Sequence, residues 1–153
     1  MSAVLKPVIE LRPMIGADLP VVMAIETEIY AFPWTLGNFR DSLAAGYDCS
    51  AYVRDGELIG YAVVMLVSDE AHLLNLSIAA GCQRQGCGSR LLQRLCDGAR
   101  AQGARLIFLE VRPSNAAGLR LYERQGFERV GLRRDYYPAQ TGREDAMILR
   151  LPL

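Results

Sequence analysis

Residues 83–89, Gln83-Arg84-Gln85-Gly86-Cys87-Gly88-Ser89, sit between a stretch that reads as a strand and one that reads as a helix. At such a junction unpaired main-chain amides and the positive end of the helix dipole converge, and glycines let an anion approach the backbone. The chemistry this suits is phosphate binding; a plain glycine-containing turn ahead of a helix is the alternative. Two common nucleotide motifs do not fit. The dinucleotide fingerprint needs a third glycine where Leu91 stands. A Walker A loop starting at Gly81 needs lysine at Cys87 and Ser or Thr at Gly88. Downstream, Glu110 falls within an apolar run, two positions from Phe108 and so on the same strand face. Burial there would raise its carboxyl pKa, whereas a strand-end glutamate that faces solvent or pairs with Arg112 is the other reading. Tyr122 follows on the next helix, one turn from Leu119, the spacing of an ordinary core pair.

The elements that must hold these residues emerge along the chain. Residues 8–12 alternate apolar and charged ahead of Pro13, a short strand. Asp18 is placed to cap a helix with Pro20 in its first turn, and Leu19, Val22, Met23, Glu26 and Ile29 follow at mixed helical spacing up to Tyr30. Residues 31–34 break it, and Leu36, Phe39 and Leu43 share one face of a second helix that Gly46 ends. Asp55-Gly56, between apolar runs at 51–53 and 58–67, spells a hairpin. Residues 68–70 turn the chain into a strand at 73–78. Leu91, Leu92, Leu95, Cys96 and Ala99 mark the apolar face of a helix that Gly103 ends. The run at 106–111 predicts a strand covered on both faces. Ser114 or Asn115 then caps a helix to Gln125 with Gly126 behind it, and strands near 127–137 and 144–151 close the chain. Helices alternate with strands, but the middle is a hairpin meander. The fold class is therefore α/β, or α+β, with a mixed, mostly antiparallel central sheet flanked by helices.

A length of 153 residues predicts one domain over 1–153, and 51% hydrophobic against 22% charged residues predicts a packed core. Seventeen basic against seventeen acidic residues remove the basic excess that non-specific nucleic-acid binding needs. No apolar run reaches the ~20 residues of a membrane span, and residues 1–7 lack a basic head before a long apolar stretch, so a cytoplasmic protein is expected, without membrane partner. Cys49, Cys82, Cys87 and Cys96 contain no C-x-x-C pair, and His72 is the only histidine, so no metal is expected. Cys82 and Cys87 flank the glycine-rich segment and could bridge; in an unexported chain reduced thiols are the expectation.

The pattern at 83–89 resembles the Gln or Arg, x, x, Gly, x, Gly or Ala loop of the GNAT acetyltransferases, which holds the pyrophosphate of acetyl-coenzyme A. The resemblance extends through Leu109-Glu110-Val111-Arg112, Ser114-Asn115-Ala116-Ala117, Leu121-Tyr122, Gly126-Phe127, Arg134 to Pro138 and Gly142 to Ala146, with Ala31-Phe32-Pro33-Trp34 near the front. It is similar above all to the branch of the family that acetylates the N-terminal alanine of a small-subunit ribosomal protein. What it implies is a GNAT fold whose sheet splays near its middle strand, where the pantetheine arm pairs with backbone at Leu76, Ser77 and Ile78. Arg84, Gln85, Gly86, Cys87, Gly88 and Ser89 would wrap the pyrophosphate, and Asn115 would be a further cofactor contact compatible with its capping role. Cys87 stands where a larger aliphatic residue is common, and Gly81-Cys82 replace a more usual Asp- or Pro-containing approach. A loop that binds through main-chain amides tolerates both.

The resemblance also implies that Glu110 is the general base, directly or through water, and Tyr122 the general acid that protonates the departing thiolate. An α-amine of pKa ~7.7–8.0 is neutral in roughly one molecule in seven at pH 7, a lysine in about one in 2,500, so a carboxylate base suits N-termini. Transfer from a tyrosine of pKa ~10 to a thiolate of pKa ~8.5 is uphill by ~2 kcal/mol unless the site shifts one of them. Trp34, Tyr136 and Tyr137 would line a peptide groove between residues 31–34 and 135–138, or else simply cover the sheet end. Asp41, Asp48, Asp69, Glu70 and Asp135 would favour a basic peptide. Acetylation of a small-molecule amine or lysine side chain, or a non-catalytic acetyl-coenzyme A-binding module, are the rival readings.

Overall fold

The computed structural model describes residues 5–153. Residues 1–4, part of the stretch read for targeting, lie outside the described residues. Seven strands form one sheet: β1 (Ile9–Pro13), β2 (Asp48–Arg54), β3 (Glu57–Val67), β4 (Glu70–Ile78), β5 (Leu106–Val111), β6 (Glu128–Pro138) and β7 (Arg143–Pro152). Their order is β1-β2-β3-β4-β5-β7-β6, and every neighbouring pair is antiparallel except β4 with β5. The parallel step follows from the helix that connects them, α3 (Cys87–Ala101), since a parallel pair needs a crossover. The other helices are α1 (Leu19–Ile29), α2 (Leu36–Ala44) and α4 (Ala116–Gln125). Among the described residues no helix is long and apolar enough to cross a membrane.

The period-2 alternation of the strands builds two cores. On β3, Ala62 and Val64 meet α3 through Leu91, Leu92, Leu95 and Cys96, and Ile107 and Leu109 of β5 complete that layer. Tyr61 and Val63 point the other way and meet Val22, Ile25 and Phe39 of α1 and α2. α1 packs on β3 and β4 and α2 on β2, which leaves the second face of β5 only half covered. The expectation of a strand covered on both faces is therefore corrected: Ile107, Leu109 and Val111 are buried, while Leu106, Phe108 and Glu110 are half-exposed.

Turn chemistry follows the sequence closely. Asp55 and Gly56 both take positive φ (51° and 81°), the geometry a two-residue hairpin needs. Asn115 caps α4, its Oδ1 accepting from the Gly118 amide at 2.9 Å, and Gly126 ends that helix at φ 102°. Two expectations need correction. β4 begins at Glu70, so the turn before it is Ser68 and Asp69. Asp18 precedes α1, but its carboxylate does not cap it. That carboxylate accepts from the Ile15 amide at 2.8 Å and takes both arms of Arg12, also at 2.8 Å, closing the preceding single turn of 3-10 helix. Pro20 instead starts α1 without a donor to satisfy. All four cysteines are free, so Cys82 and Cys87 do not bridge.

Candidate active site

β4 and β5 part company halfway along. Their ladder joins Glu70–Leu73 to Leu106–Leu109 and stops, while β4 continues to Ile78. The cause lies on the other edge of β4. Between the pairs Val63↔Asn75 and Val64↔Leu73, Leu74 is an extra residue, and such a bulge bends its strand and sharpens the twist. The result is a gap walled by Leu76 and Ile78 on one side and the end of β5 on the other. Backbone direction alternates, so only every second residue can address it. The Ala79 amide bonds the Ile59 carbonyl at 2.8 Å, and the Ser77 carbonyl lies against Gly60 of β3. Leu76 and Ile78 therefore turn their main-chain groups to the gap, and Ser77 turns its own to β3, a correction to the expectation that all three would offer backbone there. The Ile78 carbonyl is already met by Gln83 Nε2 at 3.0 Å, which ties the glycine-rich loop to the strand.

That loop forms as an anion cradle. Arg84 (φ 61°) and Gly86 (φ 79°) both adopt the left-handed region, and Gly86 is the residue before the first turn of α3. Among the described residues the amides of Arg84 to Ser89 donate to nothing; the first closed helical bond is Arg90 N–H to the Gly86 carbonyl at 3.1 Å. Consecutive free amides at the start of a long helix are what a pyrophosphate requires. The loop is braced from outside: Arg54 donates to Gln85 Oε1 (2.9 Å) and meets Cys82 Sγ (3.2 Å), and Arg90 donates to the Gln85 carbonyl (2.9 Å). Cys87 points into the core, buried, so its side chain is not part of the anion surface. Asn115 is spent on its cap through Oδ1, leaving its Nδ2 as a donor. A Cβ on Gly118 would lie 2.6 Å from that nitrogen, so the amide is seated by the absence of a side chain.

Glu110 stands at the end of β5 beside the gap. Its side chain is 30% exposed, not buried, because the helices on that face stop at β4. It does not pair with Arg112. Its Oε1 lies 3.7 Å from Arg133 Nε, while Arg112 reaches Glu144 at 3.2 Å. Tyr136 and Tyr137 lie near it, and Tyr122 neighbours Tyr137. Tyr122 is buried, packs edge-to-face on Phe127 at 5.6 Å, and has its phenol pKa pushed up by burial and by the neighbouring Tyr30 and Tyr137. Tyr137 is pushed up to about 12, by burial first and by the Glu110 charge second. Tyr136 moves the same way for the same two reasons. The shift of Tyr122 is away from a thiol, so the uphill step foreseen from the sequence becomes steeper in the resting protein.

A two-residue bulge puts adjacent tyrosines beside Glu110. From Arg133 to Tyr137, β6 advances four residues while β7 advances two, from Ala146 to Glu144. The sequence Arg143-Glu144-Asp145 shapes this bulge. Asp145 accepts from the Asp135 amide at 2.9 Å, and Arg143 donates to the carbonyls of Asp135 (2.7 Å) and Tyr136 (2.9 Å). Glu144 takes the amide and hydroxyl of Ser114, both at 2.9 Å, and Arg112, which together hold its carboxyl below the usual range. Arg112 then spans the site. Its Cζ lies 5.2 Å from the Phe32 ring and 4.3 Å from the Tyr137 ring, and it donates to the Pro138 carbonyl at 2.7 Å. The segment after α1 and the end of β6 are thereby joined. Trp34, by contrast, leans on Phe39 at 5.1 Å and packs against the second core, so it supports this wall while Phe32 lies at its surface. Asp69 and Glu70 sit at the opposite end of β4 from the gap and are withdrawn as acceptor-side charges; Asp135 remains on the β6 side.

Two residues of this region escaped the sequence reading. Tyr30, at the end of α1, sets its hydroxyl 2.7 Å from Ser77 Oγ and 3.2 Å from the Leu76 carbonyl oxygen, at the gap itself. Glu26, 1% exposed, accepts from Tyr61, Asn75 and the Trp34 amide. Its position one turn from Val22 and two from Leu19 put a carboxylate on an apolar helix face, and that was the signal.

A parallel pair that splays, a free-amide loop at the start of the following helix, and a carboxylate beside the splay define a coenzyme A-dependent acyltransferase fold, and the chain belongs to the GNAT acetyltransferase family. The Acetyltransferase (GNAT) family pattern matches residues 19–127. The chain is 40% identical over 136 residues to the [ribosomal protein bS18]-alanine N-acetyltransferase of Escherichia coli K12, covering 89% of this chain and 92% of the relative. It is 32% identical over 144 residues to the enzyme of the same name from Haemophilus ducreyi, covering 94% and 99%. The crystal structure of the Escherichia coli ribosomal-protein-S18-alanine N-acetyltransferase superposes with a TM-score of 0.88 at 38% identity, over 95% of this chain and 94% of that one.

Proposed function

We propose that this protein moves the acetyl group of acetyl-coenzyme A to the N-terminal α-amine of alanine on ribosomal protein bS18, by direct attack in a ternary complex in the cytoplasm. The observation that carries this reading is the gap between β4 and β5 with Glu110 at its edge, in a chain 40% identical to enzymes named for that reaction. Bound acetyl-coenzyme A supplies the activated acyl group. The Arg84 to Ser89 amides hold its pyrophosphate, and the main-chain groups of Leu76 and Ile78 hold the pantetheine arm. Glu110 takes the proton of the incoming amine; its exposure suits an acceptor that arrives charged and must shed a proton to attack. As the nitrogen bonds to the acetyl carbon the C–S bond breaks, and Tyr122, protonated in the resting site, donates a hydrogen bond to the sulfur as negative charge develops there. It acts as the acid that leaves coenzyme A as the thiol, the N–H proton of the tetrahedral intermediate replacing its own. Phe32, Tyr136 and Tyr137 flank the path of the peptide.

The test is incubation with acetyl-coenzyme A and a basic peptide that begins with alanine and contains an internal lysine, followed by fragment mass spectrometry. Acetyl on the α-amine supports the reading. Acetyl on lysine alone moves the enzyme to another amine class, and no transfer despite cofactor binding leaves an acetyl-coenzyme A-binding module.

A further inference from the structure

The buried carboxylate of Glu26 takes no part in the chemistry above, yet it fixes the direction of a chain of hydrogen bonds that ends at the gap. Oε1 accepts from Tyr61 (2.7 Å) and from Asn75 Nδ2 (3.2 Å), and Oε2 accepts from the Trp34 amide (2.9 Å). Because Asn75 must present its NH2 to the carboxylate, it presents Oδ1 on its other side, 2.7 Å from Ser77 Oγ. Ser77 must then donate to Asn75, and its oxygen is left to accept. Tyr30 Oη, 2.7 Å away, has one proton, and the shorter of its two contacts takes it: Ser77 Oγ at 2.7 Å over the Leu76 carbonyl at 3.2 Å. Every bond runs from Tyr30 towards Glu26. The consequence at the gap is a hydroxyl oxygen whose proton is committed to Ser77 and which is left to accept, 3.2 Å from the gap-facing carbonyl of Leu76.

We propose that Tyr30 is an acceptor-binding residue whose hydroxyl oxygen receives an N–H of the incoming α-amine, with Ser77, Asn75 and Glu26 positioning it. The assignment rests on the reading of the protein as an α-amine acetyltransferase. Three observations favour the amine over the pantetheine arm as the donor. Tyr30 directly precedes the 31–34 segment that carries Phe32; the Glu26 carboxylate that orients Tyr30 also anchors the Trp34 amide of that segment; and Tyr30 neighbours Tyr122 at the reacting end of the gap. An amine carries two or three N–H groups, and Tyr30 Oη, its own proton committed to Ser77, offers one of them an acceptor. An asparagine in the chain does not pass protons onward, so Glu26 orients and does not act as a distant base.

Tyr30→Phe removes only the hydroxyl. In steady-state assays with an alanine-initiated peptide, kcat/KM for the peptide is expected to fall about tenfold, the loss of one hydrogen bond to a polar acceptor. Acetyl-coenzyme A affinity, measured by calorimetry on the same protein, should stay within about twofold. Ser77→Ala removes the group that turns the Tyr30 proton away, and is expected to lower kcat/KM about threefold in the native background and not at all on top of Tyr30→Phe, since both act through one oxygen. Unchanged peptide kinetics in Tyr30→Phe, a loss confined to acetyl-coenzyme A affinity, or two losses that simply multiply would each overturn the assignment. Wild-type protein that leaves the α-amine unmodified overturns the underlying reading instead, and that outcome is visible before any variant is made.

Discussion

Glu110 Oε1 faces Arg133 Nε at 3.7 Å, although the two residues lie two strands apart with β7 between them. The separation is longer than a charge-assisted hydrogen bond and both side chains are wetted, at 30% and 55% exposure, so the pair contributes little to stability and leaves the carboxylate available. A base in that position is needed only while the acceptor is an ammonium. Glu110→Gln is therefore expected to cut turnover on an alanine-initiated peptide by about 10²–10⁴ at pH 7. The deficit should shrink towards pH 9, where an α-amine of pKa ~7.7–8.0 is already neutral. Initial rates of both proteins across that range check this, and a deficit of constant size would remove the base role.

Tyr122 offers the complementary case. Its phenol is buried against Phe127 and shifted upward by burial and by Tyr30 and Tyr137, so it is a protonated donor at every pH the protein would meet. Tyr122→Phe keeps the ring and the packing. The expected result is a fall in kcat of about 10²-fold or more with acetyl-coenzyme A affinity nearly intact. Binding measured by fluorescence or calorimetry beside single-turnover rates separates the two, and a defect in affinity alone would reassign Tyr122 to cofactor seating.

Much of this was legible in the sequence because it is local. The amides at 84–89, the Asn115 cap, the Asp55-Gly56 hairpin and the same-face pairing of Phe108 with Glu110 each depend on residues a few positions apart. The errors came from long-range geometry. Whether Glu110 is buried or faces solvent stayed open in the sequence, because burial of that face depends on where α1 and α2 end over the sheet. Asp18 has the right position for a cap, and Arg12, on the preceding strand, claims it. The Leu74 and β6 bulges leave no trace in periodicity, so the opening beside Leu76 and the grouping of Tyr136 with Tyr137 were implied by the family resemblance and not by the pattern of residues. Glu26 draws its partners from up to 49 residues away, and only its misplacement on an apolar stripe hinted at them.

Arg112 links the segment after α1 to the end of β6, lying against Phe32 and Tyr137 while donating to Pro138 and Glu144. Lysine keeps the charge but lacks the planar fork that stacks between rings and donates in two directions. Arg112→Lys is expected to raise KM for the peptide about tenfold and to leave acetyl-coenzyme A affinity within about twofold. Comparable losses for both substrates would show that Arg112 supports the whole sheet end and not the groove.

Asp18 supplies a prediction about stability that is independent of catalysis. Arg12 hydrogen-bonds its carboxylate through two nitrogens at 2.8 Å, and the Ile15 amide adds a third bond, while partial burial opposes ionisation; the net effect holds the carboxyl below its ordinary value. A carboxyl whose pKa is lower folded than unfolded stabilises the fold fully above the unfolded value of ~3.9, and that stabilisation is lost as pH falls through the folded value. Glu144 behaves in the same direction, so acid sensitivity of the wild type alone would not isolate Asp18. The comparison with Asp18→Asn does. At pH 7 the variant keeps a side chain of the same shape but loses the charge that Arg12 and Ile15 address, and it is expected to be less stable by about 1–3 kcal/mol. As pH falls below the unfolded value of ~3.9 the carboxyl of the unfolded wild type protonates first, its advantage shrinks, and the gap between the two proteins should narrow. Urea unfolding at pH 7, 5 and 3 measures the difference at each point; a gap that stays the same at pH 3 would mean that Asp18 acts through packing and not through its charge.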